Sequence, residues 1–403
     1  GCTELRKLLI QQNTLRELYS FENRGYFKEE DSEHKTKIFP DVHPQFKFSI
    51  IQAQKAGSLA EYDFKGLFYL HNPNQLYQTK PIRLNSEVIT HFSPKNFSIM
   101  EFRSDRDYLL CRQIRGKHQL LGETEYKLRT EFHMTNDSHL FTEIKDINRL
   151  PLIEGKAIYQ FDSNFDIPRY FIVNNEAREN LIAKEIRRIK TELKSKLTFD
   201  YFEKNNFKLE YETHKLVYRD VASSTNERTL IATLLPKKVF TGNTLNHFIN
   251  LVYKKQGDEI IQLVTDTTEL LVLMALLNSL VLNFYIRNKI SAHTGFYYVY
   301  ELPIPKTSEK LKQQLIEKSF ALLYAKSKSE LYEDLRQALK LAPINPEALD
   351  LIQIRSELEV IIAKLYGLNK EDWNHLTSTF TYGGQSETKK ELDGIIERSE
   401  GIF

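Results

Sequence analysis

Cysteine is almost absent from these 403 residues: only Cys2 and Cys111 occur. Two thiols so far apart build neither a disulfide framework nor a metal-ligand spacing, and they fit a reducing cytoplasm. No two glycines lie two positions apart, which removes the glycine-rich strand-to-helix turn that lets a backbone approach a nucleotide cofactor. His214, His247 and His293 are too scattered for a zinc site. No serine sits in a nucleophile elbow. Pro40-Asp41 is present, and so are the Glu-x-Lys triplets at 33, 125, 143 and 192, yet a chain with 54 acidic and 56 basic residues produces such triplets by chance. They do not define a metal-dependent nuclease. Uninterrupted hydrophobic runs are also lacking. Leu270 to Ile286 is broken by Asn278, Ser279 and Asn283 and is short for a membrane span, so it reads as a buried helix and no membrane partner is expected.

What the chain does have is a globular composition, with 41% hydrophobic and 27% charged residues. At this length two or three cores are expected. The net charge of +2 is unevenly spread: from Thr307 onward 13 Lys and Arg face 16 Asp and Glu, leaving 43 against 38 before it. A mild basic bias over the first three quarters permits a nucleic-acid face without demanding one.

Periodicity predicts a helix over Thr3 to Gln12 and strands over Thr14 to Phe21 and Phe46 to Gln54, joined by a charged, turn-rich link from Glu22 to Gln45. A helix and two strands bury no core alone, so residues 1–58 read as the trailing edge of a larger α/β domain. Residues 59–130 read as an irregular connection broken by Pro73, Pro81 and Pro94. Residues 131–305 alternate short strands with helices. The helix predicted over Glu176 to Leu197 carries Lys184, Arg187, Arg188, Lys190, Lys194 and Lys196, a solvated face or a phosphate contact. Beyond Leu302-Pro303-Ile304-Pro305, residues 306–403 turn helical. Leucine and isoleucine stripes at 311–322 and 351–365 flank the breaker Ala342-Pro343-Ile344-Asn345-Pro346 and predict an antiparallel helical pair. The last twenty residues, with Gly383-Gly384, read as loosely held. The fold class is therefore α/β (α+β).

The most informative stretch is Leu216-Val217-Tyr218-Arg219-Asp220-Val221-Ala222-Ser223-Ser224-Thr225-Asn226-Glu227-Arg228. It is an apolar strand that ends in hydroxyls, an amide and two arginines, the groups that hold phosphate oxygens and base edges. The same residues also suit a strand end followed by a helix cap, with Thr225 or Asn226 satisfying amides. Upstream, Lys156 follows Gly155 in a turn and is placed to approach a phosphate. Asn243, in the polar tip Thr241-Gly242-Asn243-Thr244, has the amide geometry that reads adenine. The candidate DNA-binding set is Lys156, Arg219, Ser223, Ser224, Thr225, Arg228 and Asn243. Lys237-Lys238 and Lys254-Lys255 are further steering lysines.

Taken in order, Gly1-Cys2-Thr3-Glu4-Leu5-Arg6, Ser20-Phe21-Glu22-Asn23-Arg24, Phe132-His133-Met134-Thr135-Asn136-Asp137-Ser138, the Gly155-Lys156 and Arg219 to Arg228 runs, Leu276-Leu277-Asn278-Ser279 with Glu301-Leu302-Pro303-Ile304, and Leu365-Tyr366-Gly367-Leu368 resemble the carboxyl-terminal part of type IIG restriction–modification enzymes. In that family one chain joins an adenine-specific DNA methyltransferase to its own target recognition domain. The resemblance implies that 1–58 is the end of a doubly wound methyltransferase domain, 59–130 a connecting region, 131–305 the DNA target recognition domain and 306–403 a helical support. It also implies duplex DNA and the upstream methyltransferase domain as partners. S-adenosylmethionine, with magnesium if a nuclease is attached, would belong to that upstream part, and no cofactor is expected here. The link at 22–45 and the segment 181–209 depart from the family pattern. The sequence contains no Pro-Pro dipeptide, so it lacks the Asn/Asp-Pro-Pro-aromatic turn that polarises an adenine amine and stacks on the flipped base. Neither catalysis nor a cofactor site is expected within the chain. A helical assembly subunit that binds protein and not DNA is the competing reading of the same composition.

Overall fold

The computed structural model describes all residues except 1, 2, 13, 29, 30, 45, 56–62, 195, 196, 222–226, 258, 291, 292 and 381–385. The chain forms two compact units, Gly1–Lys117 and His118–Phe403. Both are mixed α/β, and the second ends in a helical region.

In the first unit the strand Leu15–Glu22 pairs antiparallel with Lys47–Ala53, Tyr19 lying opposite Ile50. Its other edge pairs parallel with Phe64–Leu70, Leu18 opposite Gly66, and that strand pairs in turn with Ile82–Leu84. Phe21, Leu67 and Leu70 close the core against Tyr19, Ile38 and Phe48. Helices Ser86–Phe92 and Asp105–Arg115 begin where Asn85 and Ser104 accept the amides of Val88 and Asp107, at 3.0 and 3.1 Å. The expected boundary at residue 58 lies outside the described residues; the strands Lys47–Ala53 and Phe64–Leu70 on either side of it belong to one sheet, and much of the expected connection is regular structure. The charged stretch after Glu22 is more ordered than a link as well: strands Tyr26–Lys28 and Asp31–Thr36 pair within it. Asn23 closes that excursion from inside. Its side-chain nitrogen donates to the carbonyls of Phe39 and Val42, and its oxygen accepts the Phe39 amide.

The second unit is built on two small sheets. One runs Tyr170–Val173, Arg149–Ile153, Phe240–Thr241; the other runs Ala232–Leu235, Lys215–Arg219, Leu245–Phe248, Leu128–Arg129. The helix Asn174–Leu193 places Ala177, Leu181, Ile182 and Ile189 on the first sheet, among Phe132, Leu152, Ile172 and Phe240. Those four positions share one face of the helix.

The long apolar run forms two helices, Thr267–Asn278 and Leu280–Arg287, bent by 59°. Ser279 at the break caps the second by accepting the Leu282 amide at 3.1 Å. The amides that argue against a membrane span have a structural task. Asn278 makes two bonds to the backbone of Ala232, and Asn283 accepts the amides of Thr229 and Leu230. No single helix among the described residues is long and apolar enough to cross a membrane.

In the helical region, Glu309–Lys326 and Leu351–Leu365 pack together, and the latter ends on Gly367 at φ +71. The terminal segment departs from expectation. Glu387–Ile402 is a helix that buries Leu392 and Ile395 and packs along Leu351–Leu365. Arg355 ties this region to the sheets: it pairs with Glu359 at 2.8 Å, reaches Gln160 and the Asn278 carbonyl, and Glu359 accepts the Leu280 amide. Both side chains of the pair are buried.

Candidate nucleic-acid interface

Strand register brings residues far apart in sequence to one end of the second unit. Phe240–Thr241 runs parallel to Arg149–Ile153, so both strands exit at the same end, where Tyr170 opens the antiparallel third strand opposite Leu152. Thr241 leads through Gly242-Asn243-Thr244 into Leu245, which lies opposite Arg219 in the other sheet. The turns after 153, 219 and 241 and the loop before 170 therefore share one end.

Backbone bonds fasten them. The Gly155 amide donates to the Thr244 hydroxyl at 2.9 Å, the Gly242 amide to the Ile153 carbonyl at 3.0 Å, and the Asp220 amide to the Thr244 carbonyl at 3.0 Å. Gly155 packs closely here: a Cβ would stand 3.1 Å from the Thr244 carbonyl oxygen, so a larger residue would make that neighbour give way by a few tenths of an ångström.

Beneath this end lies a buried charge. Lys215 donates to Glu131 at 2.6 Å, and the same carboxylate oxygen accepts the amide and hydroxyl of Thr241 at 2.8 and 2.9 Å. One carboxylate thus joins the two sheets. Burial pushes the Lys215 ammonium below its ordinary pKa, with Glu131 opposing the shift. His247, fully buried, is pushed well below the usual histidine value by burial and by Lys215, Arg129 and Arg188.

The sequence-derived residues fall out as follows. Lys156 is exposed at the tip of the turn Gly155–Ala157. Arg219 is half-buried; its guanidinium folds back to donate to the Ile158 carbonyl and lies 5.7 Å from the Tyr159 ring centre. Burial lowers its pKa. It braces the turn that carries Lys156. Asn243 is partly spent, its oxygen accepting the Met134 amide at 2.9 Å. Arg228 is only 4% exposed, so it faces the interior and no external phosphate reaches it in this conformation. Ser223, Ser224 and Thr225 lie outside the described residues. The expected helix cap is corrected: residues 227–231 form no helix and run into the strand Ala232–Leu235.

On the helix Asn174–Leu193, Lys184 and Arg188 are engaged inward, with Asp137 and the Glu131 carbonyl, and with Glu185 and Glu192. Arg187 and Lys190 stay exposed, as does Lys194 just beyond the helix. Lys237 pairs with Asp334, whereas Lys254 and Lys255 are exposed. Sequence reading missed Glu131 and Tyr159, since nothing in a local pattern marks a carboxylate whose partners lie 84 and 110 positions away, or a ring that meets Arg219 from another segment. No group of three or more metal-ligating side chains occurs among the described residues.

This is a mixed α/β scaffold with its loops gathered at one end and a helical region behind. No protein-family model and no curated protein matches the sequence. Solved structures of restriction–modification enzymes do resemble it. The type IIL restriction-modification enzyme MmeI in complex with DNA aligns over 96% of this chain and 46% of that one, at 11% identity and a TM-score of 0.42. The type IIG restriction endonuclease BpuSI aligns over 91% and 45%, at 12% identity and a TM-score of 0.34. The chain spans less than half the length of either, and similarity this distant transfers no residue role.

Proposed function

We propose that the second unit reads a short sequence in duplex DNA on behalf of an adenine-specific DNA methyltransferase or restriction enzyme. The methyltransferase domain that it serves, in the same or a separate chain, would supply S-adenosylmethionine, and magnesium where a nuclease is attached. The single observation that carries the reading is the convergence of the 155–158, 219–221 and 242–244 turns at one end of two sheets. The first two belong to runs whose order in the sequence resembles a target recognition domain, and the third is the polar tip that carries Asn243. Loops fixed by a rigid scaffold are where recognition is built.

Lys156 at the tip, together with exposed Lys254, Lys255, Arg187 and Lys190, is available to phosphate. Phosphate contacts supply affinity and register, and base-edge contacts supply choice. Arg219 acts by holding the Lys156 turn in place.

The test is fluorescence anisotropy of the chain on mixed-sequence duplex DNA across a salt series. Micromolar binding is expected, with log K falling against log salt by about 3.6 per decade for about four phosphate contacts. Arg219→Ala should leave that slope alone and weaken discrimination between duplexes. Undetectable binding at low salt would remove the reading and favour the protein-binding alternative.

A further inference from the structure

The reading end carries more than polar groups. Ile144 is 64% exposed, Ile167 81% and Val221 57%. A single exposed isoleucine needs no explanation. Three branched apolar side chains on three sequence-distant segments of one loop cluster form a pattern. Their placement follows from register. Thr142 bridges Phe171, so Ile144 emerges beside the start of the Tyr170–Val173 strand. Ile167 precedes that strand by three residues, and Val221 follows Arg219, the last residue of its own strand.

The loop bearing Ile167 is braced. The Asp166 amide donates to the Ala157 carbonyl at 3.3 Å, and the Phe165 ring stacks on Tyr159 at 5.0 Å. Tyr159 is the ring beside Arg219. Pro168 holds Ile167 in an extended conformation. A side chain presented this way loses little freedom on binding.

Charge alone does not explain the cluster. Arg169 is paired with Glu143 at 2.9 Å, and Arg149 is paired with Asp146. What these tips hold in excess is hydrocarbon. On duplex DNA the apolar group open to direct contact is the thymine C5 methyl, in the major groove. Several loops side by side fit a groove about 12 Å wide and not one of about 6 Å.

We propose that Ile167 and Val221 read thymine through its methyl group in the major groove, with Ile144 at the margin of the same contact. The inference rests on the DNA-reading function above, and its test separates the two. The 403-residue chain is used to enrich a site from a randomised duplex pool. That duplex is then remade with uracil replacing thymine one position at a time, which removes only the methyl group. Wild-type protein should bind about fourfold more weakly for each contacted methyl lost. Ile167→Ser and Val221→Ser should each abolish the thymine preference at one position with the salt dependence unchanged, and Ile167→Leu should retain it. Both sites are exposed, and unchanged fluorescence of the sole tryptophan, Trp373, would verify that the variants fold. An enriched site bound equally with thymine and uracil, or a preference that survives both serine variants, would overturn the inference and leave DNA reading intact. No enrichment and no salt-dependent binding would remove both.

Discussion

Glu131→Ala is the most severe single change expected in the second unit. Lys215 and Glu131 have side chains 0% and 1% exposed. Truncating the acid strands an ammonium in the interior and leaves the Thr241 amide and hydroxyl without their acceptor. Removing one partner of a buried pair costs about 3–5 kcal/mol. An orphaned amide adds about 1–3 kcal/mol, but the lysine limits the total by shedding its proton, because burial already lowers its pKa. A net loss of about 3–5 kcal/mol is expected.

The sign of the pH dependence follows. A lysine whose folded pKa lies below its unfolded value binds more protons in the unfolded state, so the variant should regain stability as pH rises from neutral toward the ordinary lysine pKa. Arg129 and Glu210 also face Lys215 and act in opposite directions on it. The double variant Glu131→Gln with Lys215→Met keeps an acceptor for Thr241 and replaces the charge with a thioether. It should lie within about 1.5 kcal/mol of wild type, as a volume-conserving change does. Urea unfolding followed by Trp373, the only tryptophan and fully buried in this unit, measures all three proteins. A loss under about 1 kcal/mol for Glu131→Ala, or a double variant as unstable as the single one, would refute the assignment of this carboxylate as the link between sheets.

Two further outcomes are expected. Glu22 in the first unit is held at a pKa of about 2: burial pushes it up, but the hydrogen bond from His71 and the charges of Lys47 and Arg24 outweigh burial. Its contribution is whole above the ordinary 4.5 and is lost as pH falls toward about 2. Glu22→Gln should therefore cost up to about 3 kcal/mol at neutral pH. It should also flatten the acid limb of hydrogen exchange in the Leu15–Glu22 strand; an unchanged acid limb would contradict the pairing. Gly155→Ala brings a Cβ to 3.1 Å from the Thr244 carbonyl and should destabilise by about 1 kcal/mol in urea unfolding if that carbonyl is held in place by the Asp220 amide. It should blunt discrimination between duplexes without altering the salt slope, whereas a shallower slope would mean that the turn grips phosphate itself.

Local signals were legible where a local cause sets the structure. The helices Thr3–Gln11 and Asn174–Leu193 and the strands Leu15–Glu22 and Lys47–Ala53 lie close to where periodicity put them. The mixed α/β class with a helical end was legible for the same reason. What failed was set by distant partners. The break at residue 58 missed a parallel pairing of Leu15–Glu22 with Phe64–Leu70, which no turn signal announces. The terminal helix looked loose because Leu392 and Ile395 find their neighbours on a helix some forty residues upstream. In the candidate interface, composition singled out turns that the structure gathers at one end, but not the direction of each side chain. Arg219 and Arg228 share a chemistry, yet one braces a turn and the other is enclosed. Lys156 was legible as a tip because glycine precedes it. Ile167 carried no mark at all, since only a three-dimensional neighbourhood separates an exposed isoleucine from a core one.

The bonds that fasten the gathered turns run largely from main chain to main chain: Gly242 to Ile153, Asp220 to Thr244, Asp166 to Ala157. Such bonds are indifferent to what the side chains at the tips happen to be. Substitution at Lys156, Ile167 or Val221 therefore meets little resistance from the frame, while substitution at Gly155, Glu131 or Arg219 meets a great deal. A lineage built on this frame can drift rapidly in the handful of tip positions and stay fixed beneath them. For an engineer the same division marks where a library is best randomised and where it is best left alone.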